Sequence, residues 1–211
     1  MSRIRVLHAI TMLEPGGAQR NTLDTVAMLD RGAFEVALAC ADVGELLPEA
    51  RALAGVELFE LGDLCREVRP LADLRALAEL RRVIRRLRPD IVHTHSSKAG
   101  ILGRFAAASE RVPIVVHSIH GFGFGAHQAV PVRAAFLAAE RRAARRTTAF
   151  IAVSHRNLEE GVRLGLFPAG HELAVEIVLG MRHPDGQREE QQQTGGLHAN
   201  NSWARPMRLE T

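Results

Sequence analysis

The chain has 211 residues, of which 46% are apolar, with eight Phe, one Trp and no Tyr. That supports one globular domain whose core is mostly Ala, Leu and Val. A net charge of +3 and a pI near 9.6 point to anionic partners, but no zinc-finger, helix-turn-helix or aromatic-basic signature is present, so nucleic acid is not an expected partner. Two cysteines, Cys40 and Cys65, make neither a disulfide framework nor a zinc site, and no apolar run reaches the roughly 18 residues of a membrane span.

In chain order, Arg3–Ile10 reads as a buried strand, broken by Pro15-Gly16-Gly17. A helix follows over Ala18–Leu29, with Leu23, Val26, Ala27 and Leu29 on its apolar face. Phe34–Cys40 is a second strand, in which Cys40 acts as a small buried hydrophobe. Glu45–Ala54 is a short helix and Val56–Leu61 a third strand. The clearest helix is Pro70–Leu87: Pro70 opens it, Pro89 follows it, and Leu71, Leu74, Leu77, Ala78, Ile84 and Leu87 recur at helical spacing.

Ile91–His95 is the fourth strand, Lys98–Ala108 a helix, Ile114–Ser118 the fifth strand, Val130–Arg145 a basic helix and Ala149–Val153 the sixth strand. Ser154 is placed to cap the next helix, with Asn157 three residues on. Leu173–Leu179 is the last strand expected. Alternating strands and helices imply βαβ units, hence an α/β fold with a doubly wound, mainly parallel, Rossmann-like sheet over residues 1–180. Residues 181–211 are polar and without periodicity, and are expected to form a disordered or out-of-frame tail.

Three loops carry candidate chemistry, each where an apolar strand meets a polar segment, the edge at which open α/β sheets bind ligands. Gly16-Gly17 either forms a tight turn or lets a ligand approach the amides of a helix N-terminus. The surrounding residues fit neither a dinucleotide fingerprint nor a P-loop. His93 and His95 lie two apart on a strand and share a face. With no third ligand evident, no metal is expected there. Ser96 and Ser97 read either as helix caps or, with Lys98, as donors to sugar hydroxyls or phosphate. Lys98 is the only lysine in the chain. In His120-Gly121-Phe122-Gly123-Phe124-Gly125, His120 is either a structural loop residue or one that binds or shuttles protons near neutral pH.

Gly16-Gly17-Ala18-Gln19, the run His93 to Gly100, Gly103-Arg104, His120-Gly121-Phe122, Glu140-Arg141 and Ile151-Ala152-Val153-Ser154 occur in the order seen in family-4 glycosyltransferases of the GT-B fold. Over residues 3–180 the chain resembles their N-terminal, acceptor-side domain, most closely the subgroup acting on bacterial surface polysaccharides. The resemblance implies retaining transfer from a nucleotide sugar to a glycan or polyprenyl-linked acceptor, with the nucleotide sugar as substrate and no resident cofactor or metal. It implies His120 as the catalytic residue facing the transferred sugar, and Gly16, Gly17, Gln19, His95, Ser96, Lys98, Gly121 and Ser154 as substrate-binding residues. The donor domain, with its basic pair and Glu-x7-Glu element, has no counterpart here. The chain is therefore expected to be truncated and inactive alone, because preorganised cations at the leaving diphosphate are a large catalytic term. The alternatives are a subunit of a split two-chain enzyme that meets a separate donor-domain chain, a fragment of another GT-B enzyme such as a nucleotide-sugar epimerase, or a stand-alone nucleotide-binding module.

Arg81, Arg82, Arg85, Arg86 and Arg88 crowd one helix end, and Arg141, Arg142, Arg145 and Arg146 another. They read either as solvated helix C-termini or as a docking surface for anionic lipid. The expected location is cytoplasmic, peripheral on the inner membrane face.

Overall fold

The computed structural model describes residues 2–122, 129–167 and 172–175. The chain divides into two units, Met1–Val178 and Leu179–Thr211, and every described residue belongs to the first. The tail expected over 181–211, and Gly123 to Gly125 of the third loop, lie outside the described residues.

Strands and helices alternate: β1 (Ile4–Ala9), α1 (Gly17–Met28), β2 (Phe34–Ala41), α2 (Leu47–Ala52), β3 (Val56–Leu61), α3 (Pro70–Leu87), β4 (Ile91–His95), α4 (Ser97–Ser109), β5 (Ile114–Ile119), α5 (Val130–Ala144), β6 (Ala149–Ala152), α6 (His155–Arg163) and β7 (Glu172–Val175). The sheet order is β3-β2-β1-β4-β5-β6-β7 and every pairing is parallel. From β1 the chain winds outward through β2 and β3, returns across the sheet to β4, and winds outward the other way. The winding reverses between β1 and β4, which is where such sheets open a crevice for ligands.

Two apolar layers flank the sheet. On one face α1 and α2 bury Leu23, Val26, Leu47 and Ala50 against Ile10, Val36, Leu38 and Cys40. Burial pushes the Cys40 thiol up to about 12, so it is an inert packing group. On the other face α3 and α4 bury Ala76, Leu80, Ile84, Ala99 and Ala106 against Leu7, Ala9, Val92 and Val115. In α4, Gly100 and Gly103 permit this approach: a Cβ on Gly100 would lie 2.5 Å from His117 Cε1, and one on Gly103 2.7 Å from Thr94 Cγ2. Gly100 is therefore a packing residue.

Two expected apolar faces are corrected. The buried stripe of α3 is Ala76, Leu80, Val83 and Ile84, whereas Leu71 and Leu74 are 77% and 64% exposed. The reason is length: an 18-residue helix rises about 27 Å while the five-residue strand β4 runs about 17 Å, so the first turns of α3 overhang the sheet. In α1, Thr22 joins Leu23 and Val26 in the core and Ala27 is exposed. Among the described residues no helix is long and apolar enough to cross a membrane.

Candidate functional site

The carboxyl ends of β1, β4 and β5 are neighbours in the sheet, and the loops leaving them are joined by side chains. After β1, Thr11 reaches the N-terminus of α4, where its Oγ1 accepts the Ala99 N–H at 3.1 Å. Its backbone N–H donates to Ser96 Oγ at 3.3 Å, and the two hydroxyl oxygens are 2.8 Å apart. Thr11 thus caps α4 from the loop after β1. Ser96 occupies the N-cap position without a side-chain cap of its own, which corrects the reading of Ser96 as a plain cap. Its backbone sits at φ 61°, ψ 162°, a region adopted almost only by glycine. Such strain costs about 1–3 kcal/mol and gathers at functional sites.

His95, the last residue of β4, is fully buried. Its Nε2 lies 3.2 Å from His8 Nδ1 and its Nδ1 lies 3.2 Å from His120 Nε2. The three imidazoles form a relay from inside the sheet to the loop after β5. His93 stacks beside His95 at 4.2 Å between ring centres and sets its Nε2 2.8 Å from Ser118 Oγ. Burial lowers His95 and His8 well below the ordinary histidine range, and neighbouring rings add to the effect. Burial also brings His93 and His120 down to about 4. At neutral pH His120 is therefore an uncharged imidazole with one nitrogen engaged by His95. That corrects the expectation of a group titrating near neutrality: His120 can accept or donate one hydrogen bond but does not hold a resting positive charge.

The first loop is open. Gly16 caps α1 with an extended backbone (φ 175°), and a Cβ there would meet only the mobile Gln19 Oε1 within 3 Å. A Cβ on Gly17 would meet nothing within 4 Å. Neither backbone torsion nor internal packing asks for glycine at these two positions, and the start of α1 is open there. Gln19 lies half-buried in the first turn of α1. Gly121, at φ 144°, does need to be glycine, and it turns the chain directly after His120.

Two further candidates have partners within the fold. Lys98 places its ammonium 2.5 Å from Asp73 of α3 and donates to the Glu67 carbonyl, with Cys65 Sγ at 3.7 Å. Its charge is matched by Asp73 within the domain. Ser154 Oγ accepts the Asn157 N–H at 3.2 Å, the cap its spacing predicts, while Asn157 Nδ2 donates to the Ile119 carbonyl at 3.3 Å. Ser154 is thereby fixed beside the end of β5.

Sequence reasoning missed His8, Thr11 and the buried pairing of two motif residues. Arg104 donates through Nε to the Gly100 carbonyl at 2.8 Å and through Nη2 to Glu140, both side chains almost wholly buried. The pair ties α4 to α5. The available signal was two charged residues on helices with apolar neighbours.

The arginine-rich ends of α3 and α5 lie at the opposite edge of the sheet, where the strands begin. Arg81 and Arg85 share Glu110, Arg86 pairs with Glu57, and Arg146 stacks on Phe105. Docking through those ends would turn the site away from the surface. The site's own edge carries exposed Val43, Val68, Leu71, Leu74, Val130 and Val132 instead.

Comparison with known proteins follows the same geometry. A family profile of the glycosyl transferase 4-like domain matches residues 16–177. The UDP-Gal:alpha-D-GlcNAc-diphosphoundecaprenol alpha-1,3-galactosyltransferase of Escherichia coli is 35% identical over 158 residues, 75% of this chain and 40% of that protein. The chain thus spans about two fifths of this curated relative's length. Among solved structures, Anabaena Alr3699/HepE in complex with UDP and glucose superposes with a TM-score of 0.59 at 17% identity, over 82% of this chain and 44% of that one. Acinetobacter baumannii MurG gives 0.55 at 14%, over 81% and 44%. The UDP-GlcNAc 2-epimerase of Neisseria meningitidis bound to UDP-GlcNAc gives 0.57 at 14%, over 82% and 45%. At such identities the structures speak to the fold, one Rossmann-like half of the GT-B type. With most of its length inside the profile, the chain belongs to the glycosyl transferase 4-like domain family.

Proposed function

We propose that the described domain is the acceptor side of a retaining glycosyltransferase that moves a sugar from a nucleotide-sugar donor to a lipid-linked acceptor. The observation that carries this reading is the convergence at the switch point. An open Gly16-Gly17 helix start, a strained Ser96 and a neutral His120 held by His95 gather at one sheet edge. Neutral donors and acceptors suit sugar hydroxyls, and the exposed amides of α1 suit a diphosphate.

In this reading His120 touches the sugar at the reacting centre. Gly16, Gly17 and Gln19 meet the diphosphate, and Gly121 with Ser154 shapes the wall after β5 and β6. The nucleotide sugar is a substrate, and no resident cofactor takes part in transfer. The wall that holds the nucleotide belongs to polypeptide outside the described residues or to a separate donor-domain chain, so the described wall alone binds acceptor without turnover. The apolar rim of Val68, Leu71, Leu74 and Val130 lies along the prenyl chain of the acceptor at the inner membrane face.

The test is a titration of the purified 211-residue chain with a short-prenyl diphosphate-linked N-acetylglucosamine, followed through the imidazole NMR signals of His120. Binding that moves those signals and weakens about tenfold, roughly 1.4 kcal/mol, in His120→Ala is expected. An acceptor that leaves them unmoved at saturation overturns the reading.

A further inference from the structure

The relay contains more imidazole than an acceptor site needs. His8 of β1 and His93 of β4 are register partners, and His95 follows two residues on, so all three rings stand on one face of the sheet. One ring nitrogen from each lies within 4.8 Å of the other two. His8 Nδ1 and His95 Nε2 are 3.2 Å apart. Two imidazole nitrogens bound about 2.0–2.1 Å from one tetrahedral zinc stand about 3.3–3.4 Å from each other, so this pair already has the separation of two zinc ligands.

One further observation bears on an ion. His93 spends Nε2 on Ser118 and offers Nδ1, and it is partly exposed, which gives an ion a route from solvent. We propose that His8, His93 and His95 form a binding site for one divalent transition-metal ion of the zinc class, with water as the fourth ligand.

The donor set decides the class. Three neutral imidazoles and no carboxylate favour zinc, cobalt, nickel or copper and offer nothing to magnesium or calcium. The charge of Arg31 acts on His8 and opposes a dication, so the site is weaker than one with an acidic ligand. With His95 bound through Nε2, its Nδ1–H points at His120 Nε2 as the outer-shell bond common to metal-bound histidines. This inference stands apart from the acceptor reading, since uptake of an ion needs no substrate.

The test loads the metal-free 211-residue chain, free of any affinity tag, with zinc chloride and, in parallel, cobalt chloride, and measures bound metal after gel filtration. One zinc per chain, a visible absorption band of four-coordinate cobalt and no retained magnesium are expected. In His93→Ala, a partly exposed position chosen so that the fold survives, affinity falls at least about tenfold. His155→Ala, on the exposed side of α6, retains the ion. Nitrogen-15 imidazole spectra of the unmodified chain guard against a folding artefact: zinc must move the signals of His8, His93 and His95. Absence of stoichiometric uptake, uptake that survives His93→Ala, or unmoved signals overturns the proposal and leaves the cluster as a hydrogen-bonded relay.

Discussion

The two sides of the β1–β4 junction bury different materials. Toward β2 the core is mostly hydrocarbon: Ile10, Leu13, Leu23, Val26 and Leu38 pack at 0–1% exposure, with Thr22 beside them. Toward β5 the interior holds Thr94, His95, His117, Ser118, Arg104 and Glu140, each paired with another group of the same half. Burying such groups costs free energy unless every partner is present. The polar half is therefore the part that demands geometry, and it is the half whose strand ends carry His95 and His120. The apolar half is a platform that tolerates adjustment.

The largest expected effect breaks the polar half at its ion pair. Glu140→Ala leaves Arg104 charged, buried and unmatched, and should lower unfolding free energy by about 3–5 kcal/mol in urea denaturation. Replacing both partners together, Arg104→Met with Glu140→Leu, should restore most of that loss. If the single and double variants are equally unstable, the pair is not what holds α4 to α5. Leu38→Ala, in the apolar half, should cost about 2–5 kcal/mol through the cavity it leaves. It should leave the imidazole signals of His95 and His120 in place, and a change in them would erase the distinction between the halves.

Gly100→Ala tests the close approach of α4. The new methyl would press on the His117 ring, and a loss of about 1–3 kcal/mol with a moved His117 signal is the expected result. Acid probes the same ring without substitution. Burial, with Arg104 nearby, holds His117 well below its ordinary value. The unfolded chain takes up a proton below about pH 6.5 that the folded chain refuses. The stability due to neutral His117 is complete above that pH and is lost as pH falls, by up to about 1.4 kcal/mol per unit, and His8, His93, His95 and His120, lowered in the same way, add to the same slope. Denaturation midpoints measured in EDTA from pH 7.5 to 5 check the slope, and a flat profile would mean that the ring is hydrated. The smallest effect is Ser154→Ala, which removes one helix cap and should cost about 1 kcal/mol by thermal unfolding.

Much of this architecture was readable beforehand because it is local. Apolar runs marked β1 to β6 to within a residue or two, the prolines framed α3 over Pro70–Leu87, and the Ser154 to Asn157 spacing named a real cap. The motif order identified the family. The partners of the site residues were not readable. Lys98 looked like an anion ligand until Asp73, on the preceding helix, took its charge. Ser96 looked like a cap until Thr11 took that role from 85 residues away. Leu71 and Leu74 fitted the helical period yet lie beyond the sheet's edge.

By itself, then, the sequence determined which segments are strands and helices and which loops carry histidine, serine and glycine. These follow from periodicity, capping and turn chemistry, all set within a few residues. Only the tertiary structure decided that β1 lies beside β4 and β4 beside β5. That order brings His8 to His95 across 87 residues and His95 to His120 across 25. The physical reason is that strand order depends on which sheet edge each crossover returns to, a choice made by the packing of all the helices together and written in no single segment.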